Sequence, residues 1–397
     1  MSDSLLRFRA EFPILATTNY MVSNSLGAMP GSVPERLAEY AEQWATRGVR
    51  AWAQGWWEMP VTVGDEIAPI IGAGSGEVAM VPNVSIAQAQ ILSALDYKSD
   101  GRDTIVMTEM DFPSVRYVYD ELATRLGARI VVVPSDDGMS IDEDRLMAAI
   151  DERTRLVAIS HVFFRSAYVL DAARICAHAH RMGALVSLDA YHSVGIVPVD
   201  VNAIQPDFLT GGVLKWLCGG PGGCFLWARP EVSEKTAPAL TGWQAHEHPF
   251  AFEPEMTYAD GAWRWLTGTP SIPALFAAVA GPRLLREAGM RAIREKSVRQ
   301  TTRLIELADA RGFAVTAPRA ADRRGGTVAF DVPHAREVAQ ALLARDVLVD
   351  YRPGAGIRVA PHFYSSDEEV ESVVESIDEI LAKEEWKKYT HETLVVT

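Results

Sequence analysis

The sequence predicts an α/β protein in which a mainly parallel sheet is covered by helices on both faces, followed by a smaller α+β domain. Residues 104–210 alternate short β-branched runs with longer amphipathic stretches, as strand–helix–strand units do. After residue 270, long amphipathic stretches alternate with a few short strand-like runs. A chain of 397 residues is long enough for one large domain and a second, smaller one.

The elements of the first part follow from these patterns. A helix is predicted from Ser32 to Thr46, with Ser32 as N-cap and Pro34 in the first turn. The glycine run at 72–76 does not match a dinucleotide-binding loop and is predicted to be a helix–strand turn. The predicted strands are Thr104–Thr108, Arg129–Pro134, Arg155–Ser160, Ala184–Asp189 and Asp207–Thr210, and the helices between them are Ser114–Leu126, Asp142–Ile150 and Ala172–Met182.

The second part is predicted to contain four helices and three strands. The helices are Pro270–Ala288, Arg291–Arg311, Ala335–Arg345 and Asp367–Lys383, and the strands are Gly326–Val332, Val347–Tyr351 and Ile357–Ala360. We therefore expect an N-terminal segment (1–30), a large domain (31–270), a small C-terminal α+β domain (271–385) and a tail (386–397) without assigned structure.

Composition restricts the possible partners. The net charge is −14 and no basic tract offsets it, which argues against a nucleic-acid or anionic-membrane partner. The three cysteines form no CxxC pair or disulfide framework, and the histidines show no metal-ligand spacing, so no metal site is predicted. No export signal or membrane-length apolar run is visible, and we expect a cytoplasmic protein.

The stretch LKWLCGGPGG, residues 214–223, contains a single lysine in an apolar run. Lys215 either extends its ammonium to water along a packed stem or remains uncharged to form a Schiff base. Asp189, at the end of an apolar predicted strand, needs a cation, and the protonated ring nitrogen of pyridoxal phosphate is one such cation. Because ligands bind beyond the carboxyl ends of parallel strands, the two residues predict a site for this cofactor.

The chain resembles the fold-type I pyridoxal-phosphate enzymes of the class V aminotransferase superfamily, and within it the kynureninase family. The resemblance covers nearly the whole chain, and the GW…H…PFAFEP block and the NSLG segment are specific to kynureninase-like members. The segments that carry it are SNSLGAMP (23–30), RAWAQGWWEMP (50–60), DFPS (111–114), SHVFFRSAYVLD (160–171), DAYHSVGIVPVD (189–200), LKWLCGGPGG (214–223), TGWQAHEHPFAFEP (241–254), ADGAWRWLTGTP (259–270) and RVAPHFYSS (358–366).

The resemblance implies a large domain with a seven-stranded type of sheet, and a role for each matching residue. Lys215 would form the Schiff base with pyridoxal 5'-phosphate, Asp189 would pair with its ring nitrogen, and His192 would lie near its phenolic oxygen. Phe112 matches the aromatic residue that stacks on the ring. Val84 and Ser85 match the phosphate-binding turn at a helix start.

Further matches concern the partner subunit and the substrate. Trp243 and Thr269 match residues that reach the phosphate, often from a neighbouring subunit, which implies a homodimer with composite sites. Arg358 matches the arginine that binds the substrate α-carboxylate. Asn24, Ser25 and Trp56 complete the expected substrate-binding set. Asn24 and Ser25 lie in the matching segment SNSLGAMP, and Trp56 lies in RAWAQGWWEMP.

Two departures from kynureninase change the expected substrate. The family has a tyrosine directly before the lysine, where this chain has Leu214, and bacterial kynureninases carry a histidine where this chain has Gly55 and Trp56. Loss of a polar recognition group changes which substrate a pocket accepts. We therefore predict an enzyme that acts on a small L-amino acid other than kynurenine.

The sequence leaves the reaction open. Hydrolytic Cβ–Cγ cleavage and β-elimination fit the kynureninase-like pattern, and transfer of the amino group to a keto acid is the alternative. A non-catalytic binding protein is disfavoured, because such a protein needs no Schiff-base lysine. Cysteine desulfurases need a mobile nucleophilic cysteine in the C-terminal part, and no cysteine follows Cys224.

Overall fold

The computed structural model describes residues 3–390, so the end of the predicted tail, 391–397, lies outside the described residues. The strands are β1 (Asn19–Tyr20), β2 (Val78–Val81), β3 (Thr104–Thr108), β4 (Arg129–Val133), β5 (Thr154–Ser160), β6 (Leu185–Asp189), β7 (Phe208–Gly212), β8 (Cys224–Ala228), β9 (Ala314–Val315), β10 (Val328–Asp331), β11 (Val347–Leu348), β12 (Asp350–Arg352) and β13 (Gly356–Val359). The helices are α1 (Val33–Arg47), α2 (Met59–Thr62), α3 (Gly64–Ile71), α4 (Val84–Ser93), α5 (Pro113–Leu126), α6 (Glu143–Ala148), α7 (Ala172–Arg181), α8 (Val201–Ile204), α9 (Pro230–Ser233), α10 (Ile272–Ala278), α11 (Ala280–Ala288), α12 (Met290–Asp309), α13 (Ala335–Leu343) and α14 (Asp367–Ala382).

A seven-stranded sheet forms the centre of the chain, in the order β2-β8-β7-β6-β5-β3-β4. Neighbours from β7 to β4 pair in parallel, and β8 runs antiparallel to both of its neighbours. The predicted α/β class with a mainly parallel sheet is therefore confirmed. The five predicted strands correspond to β3, β4, β5, β6 and β7.

Two apolar clusters cover the two faces of this sheet, because successive residues of each strand point to opposite sides. In β3, Val106 belongs to one cluster, whereas Ile105 and Met107 belong to the other. Helices α4 and α5 pack on the second face, and α3 and α7 pack on the first. Strands of such a sheet are buried on both sides, so the carboxyl-end edge is where side chains can reach a ligand.

A four-stranded antiparallel sheet, β12-β13-β10-β9, forms the C-terminal part together with α12, α13 and α14. The N-terminal segment joins it, since β1 pairs in parallel with β11 and Val22 forms a bridge with Ala360. The domain boundaries expected from the sequence stay a prediction. No helix within residues 3–390 is both long and apolar enough to cross a membrane.

Three sequence expectations need correction. The single helix predicted from Pro270 to Ala288 is broken at Val279, because Pro282 cannot donate to the carbonyl of Ala278 and its ring collides with that turn. The strand predicted over Val347–Tyr351 is two strands, β11 and β12, which belong to different sheets. Ser32 stands at the start of α1, but its side chain makes no capping hydrogen bond.

Candidate active site

The site lies where β6 and β7 end. Asp189 is the last residue of β6, and its backbone carbonyl accepts a hydrogen bond from the N–H of His161 after β5. Lys215 follows β7 by three residues, and its amine nitrogen lies 2.6 Å from Nε2 of His192. Parallel pairing of these strands brings the lysine, the histidine and the aspartate to one edge of the sheet.

Burial sets the protonation of these three side chains. Loss of water around Lys215, reinforced by the nearby positive charge of Arg358, lowers the pKa of its amine to about 7. Burial also raises the pKa of the Asp189 carboxyl to about 6 and holds the pKa of His192 well below its usual value. Near neutral pH, the lysine can therefore be an uncharged nucleophile beside a neutral imidazole.

Two aromatic rings lie close to the lysine amine. The ring centre of Phe112 is 5.5 Å from the amine nitrogen, and that of Tyr191 is 5.2 Å away. Phe112 precedes α5 and packs edge-on against Phe164. The backbone N–H of Tyr191 donates to the Asp189 carboxylate at 2.9 Å. The amine thus has apolar ring surface nearby and a carboxylate held in a fixed orientation.

Arg358 is fixed by a carboxylate on the adjacent strand. It lies on β13 opposite Asp350 of β12, and its Nε donates to that carboxylate at 2.7 Å while Nη2 makes the second bond of the pair. Its Nη1 also donates to the carbonyl of Phe164. Arg352 lies two residues from Asp350 on the same face of the strand, with 3.4 Å between its Nη2 and the carboxylate. Both arginines lower the pKa of Lys215, so their charges lie near the amine.

Glycines from three distant parts of the chain pack against the backbone that carries Lys215. A Cβ atom on Gly27 would lie 2.1 Å from the Lys215 carbonyl oxygen, and one on Gly281 would lie 1.9 Å from that of Leu217. A Cβ atom on Gly195, at φ +102°, would lie 2.8 Å from the carbonyl carbon of Trp216. The N–H of Gly27 also donates to the Leu214 carbonyl at 2.8 Å. The position of the lysine therefore depends on backbone contacts across the whole fold.

The expected substrate-binding residues occupy two different places. Asn24 is fully buried, and neither atom of its side-chain amide has a hydrogen-bond partner within residues 3–390. Ser25 follows it in the turn that leads to Gly27. Trp56 instead packs against Tyr40 and donates its indole N–H to Gln43 on α1. The substrate roles of Asn24, Ser25 and Trp56 all stay predictions.

The residues matched to phosphate binding are also divided. Val84 and Ser85 begin α4, where Asn83 caps the N–H of Ile86 and leaves the first N–H groups of the helix without helical partners. Trp243 and Thr269 line a surface cavity of about 650 Å³ that does not include Lys215. Within one chain, only the start of α4 belongs to the edge of the sheet at which Lys215 lies.

Comparison with known proteins agrees with this architecture. The aminotransferase class-V family model matches residues 20–371. The chain belongs to this family. It is 33% identical to a kynureninase of Pseudomonas fluorescens and 32% identical to one of Burkholderia pseudomallei (strain 1106a), and each comparison covers 97% of this chain and 94% of the relative.

Solved structures with this fold have lower sequence identity. A cysteine desulfurase of Thermococcus onnurineus NA1 superposes with a TM-score of 0.84 at 24% identity, covering 96% of this chain and 99% of that one. The cystine C–S lyase C-DES gives 0.83 at 20% identity, covering 92% of this chain and 98% of that one. These likenesses show the fold.

Membership of the class-V family indicates pyridoxal 5'-phosphate as the cofactor, and the residues present fit it. Asp189 is buried, and no cation within residues 3–390 lies within 4.0 Å of its carboxylate. A protonated ring nitrogen would be such a cation. Lys215 offers an amine whose lowered pKa, about 7, leaves a large fraction uncharged near neutral pH, and the start of α4 offers N–H groups to a phosphate. No cluster of His, Cys, Asp and Glu in the described part of the chain could hold a metal ion.

Three residues near the lysine were not predicted as site residues. Tyr191 could have been noticed as the third residue of DAYHSVG, since it lies between Asp189 and His192. Asp350 and Arg352 carry no local signal, because only the pairing of β12 with β13 brings them to Arg358.

Proposed function

We propose that this protein is a pyridoxal-phosphate enzyme that breaks or exchanges a bond of a small L-amino acid, by kynureninase-like chemistry. The observation that carries the proposal is the partly buried Lys215 amine, 2.6 Å from a neutral His192, with the buried carboxylate of Asp189 at the end of the adjacent strand. A lysine held for structural reasons alone would gain more from an ion pair, and no carboxylate within residues 3–390 pairs with it inside 4.0 Å.

The chain's own residues divide the work as follows. When bound, the cofactor supplies an electron sink that stabilises a carbanion next to the substrate nitrogen. Lys215 would hold the cofactor, and its uncharged amine nitrogen would accept the substrate α-proton. Asp189 would keep the ring nitrogen protonated, and His192 would accept or donate a hydrogen bond beside the Lys215 amine.

Substrate orientation is assigned to Arg358 and Asn24. Because Asp350 occupies Nε and one Nη2 hydrogen and the Phe164 carbonyl occupies one Nη1 hydrogen, Arg358 keeps one hydrogen on each of Nη1 and Nη2 for a substrate carboxylate. The unpaired amide of Asn24 can donate to and accept from the same substrate. Phe112 offers a flat apolar surface for the ring of the cofactor.

We propose a substrate other than kynurenine, because Leu214, Gly55 and Trp56 stand where polar groups are expected for that substrate. Hydrolytic cleavage of Cβ–Cγ or β-elimination is the leading reaction, and transamination is the alternative. Desulfurase chemistry through a thiolate is disfavoured, since Cys176, Cys218 and Cys224 are all buried and burial raises the pKa of each thiol.

A homodimer is part of the proposal. Trp243, Phe250 and Phe252 are 43%, 63% and 75% exposed, and they form one aromatic surface with Trp57. A soluble monomer seldom exposes such a patch, and a second copy of the chain would cover it. In that arrangement Trp243 and Thr269 could contact the cofactor phosphate in the site of the neighbouring subunit, as the family resemblance implies. Sedimentation equilibrium of the wild type and of a Phe250→Ser/Phe252→Ser variant tests this part.

The test of function mixes the purified holoenzyme with kynurenine, 3-hydroxykynurenine, cysteine S-conjugates, and common amino acids with a keto acid. Alanine as product identifies hydrolytic cleavage, pyruvate identifies elimination, and a new amino acid formed from the keto acid identifies transamination. Lys215→Ala is the control that should abolish turnover of whichever substrate reacts. Kynurenine turnover at ordinary enzyme rates would contradict the substrate proposal, and full activity of Lys215→Ala would contradict the whole function.

A further inference from the structure

The hydroxyl group of Tyr191, which lies near Lys215, has no role in the proposed function described above. Its ring centre lies 5.2 Å from the Lys215 amine nitrogen, and its backbone is tied to Asp189. The Tyr191 side chain is half-buried, and its phenol oxygen makes no hydrogen bond within residues 3–390. Tyr119, which is fully buried, instead donates its hydroxyl to Gln88. The Tyr191 hydroxyl is therefore available to a ligand that enters the site.

Gly212, the last residue of β7, makes room for that hydroxyl. A Cβ atom on Gly212 would lie 1.9 Å from the ring carbon that bears the phenol oxygen and 2.2 Å from the oxygen itself. Any other residue at position 212 would push the phenol away. The glycine therefore fixes where the hydroxyl group lies, three residues before Lys215.

The surroundings of Tyr191 indicate what the hydroxyl binds. The ring packs against the apolar cluster that includes Val84, the first residue of α4, and Cys224. Tyr191 thus lies on the face of the sheet that α4 covers, and α4 begins with N–H groups free for an anion. Burial raises the pKa of the phenol above its usual value, so it stays protonated and acts as a donor.

We propose that the Tyr191 hydroxyl donates a hydrogen bond to the phosphate of pyridoxal 5'-phosphate, and so supplies a phenol that Leu214 cannot. This inference rests on the proposed cofactor site and adds to it a residue that the family pattern does not indicate. Tyr191 is a cofactor-binding residue in this proposal, and Gly212 is a positioning residue that acts through it.

The test compares the binding of pyridoxal 5'-phosphate with that of pyridoxal, which lacks the phosphate. Both are titrated into cofactor-free wild type and Tyr191→Phe, and tryptophan fluorescence gives each dissociation constant. Removing one hydrogen bond to a charged group should weaken binding of the phosphorylated form about tenfold or more and leave pyridoxal unchanged. Tyr119→Phe removes a hydroxyl that is already hydrogen-bonded to Gln88 and is the matched control. It should not change the affinity for pyridoxal 5'-phosphate relative to that for pyridoxal.

Two further variants make the result decisive. Gly212→Ala should reproduce the selective loss, because the added methyl group displaces the phenol. Leu214→Tyr in the Tyr191→Phe background should restore part of the affinity. Equal weakening of both ligands in Tyr191→Phe, or no change, would overturn the assignment. If the wild type itself bound neither ligand at Lys215, as judged by borohydride trapping, the proposed function would fail instead.

Discussion

The amine nitrogen of Lys215 lies 2.6 Å from Nε2 of His192, which is uncharged at neutral pH, and the lowered pKa of the lysine leaves about half of its amines uncharged there. Burial, rather than an ion pair, keeps the amine in its reactive form. Arg358 adds to the effect by its positive charge. This pair makes the chemistry of the site sensitive to pH in a direction that can be stated.

Cofactor loading should speed up as pH rises through neutrality. Below the pKa of about 7 the amine is protonated and cannot attack the aldehyde, so the rate of attachment should rise about tenfold between pH 6 and pH 8. Stopped-flow absorbance of the cofactor-free chain mixed with pyridoxal 5'-phosphate measures this rate. A flat profile over that range would contradict an amine with a lowered pKa.

Replacing Lys215 by methionine should stabilise the cofactor-free chain. The folded state disfavours protonation of this amine, so wild-type stability is reduced below the ordinary pKa of 10.5 and recovers as pH rises from about 7 towards that value. The gain in Lys215→Met should be about 2–3 kcal/mol at pH 8. Urea unfolding measures it, and Lys235→Met, at an exposed lysine, should give no comparable gain.

Asp350→Asn should impair substrate binding through Arg358. The carboxylate holds Nε and Nη2 of the arginine, so its loss frees the guanidinium to move, and KM should rise roughly tenfold with a smaller change in kcat. Removing this negative charge should also shift the loading profile to lower pH, because Asp350 raises the pKa of Lys215. Asp331→Asn, an exposed position of the same sheet, should change neither quantity.

Asp189→Asn should leave the cofactor attached but stop it from acting as an electron sink. Without a carboxylate the ring nitrogen is no longer held protonated, so exchange of the substrate α-proton should slow by at least about 100-fold. Proton NMR in deuterated water follows this exchange in the presence of a slowly reacting amino acid. Exchange at the wild-type rate in Asp189→Asn would remove Asp189 from the mechanism.

Gly27→Ala should displace the backbone of Lys215, although the two residues are far apart in the sequence. The added methyl group would lie 2.1 Å from the Lys215 carbonyl oxygen, so the backbone there has to shift. We expect a loss of about 2 kcal/mol in stability together with weaker cofactor binding. Gly31→Ala, whose methyl group would come no closer than 3.4 Å to any atom, is the control and should behave as wild type.

Most of the fold could be read from the sequence because its strands are short apolar runs separated by helices. Strands β2 and β8 were not predicted, because a four- or five-residue apolar run such as Val78–Val81 has no periodicity that distinguishes a strand from a helix. The split of Val347–Tyr351 into β11 and β12 was also unpredictable, because it depends on which distant strand each piece meets.

The site was predictable where motif and geometry coincide. Lys215, His192 and Asp189 were expected to lie together, and the hydrogen bond and strand register bring them together. Asp350 could not be found in this way, because it meets Arg358 only through antiparallel pairing. The roles of all these residues stay predictions that the experiments above address.

The glycine contacts around Lys215 also have a consequence for biosynthesis. Gly27 is made early, Gly195 halfway and Gly281 late, yet all three press on the five residues from Leu214 to Cys218. A chain of only its first 220 residues would lack Gly281 and its contact with the Leu217 carbonyl, so the backbone around the lysine is not fully packed until the later part has been made. We therefore expect a nascent chain to capture the vitamin only after residue 281 has been added.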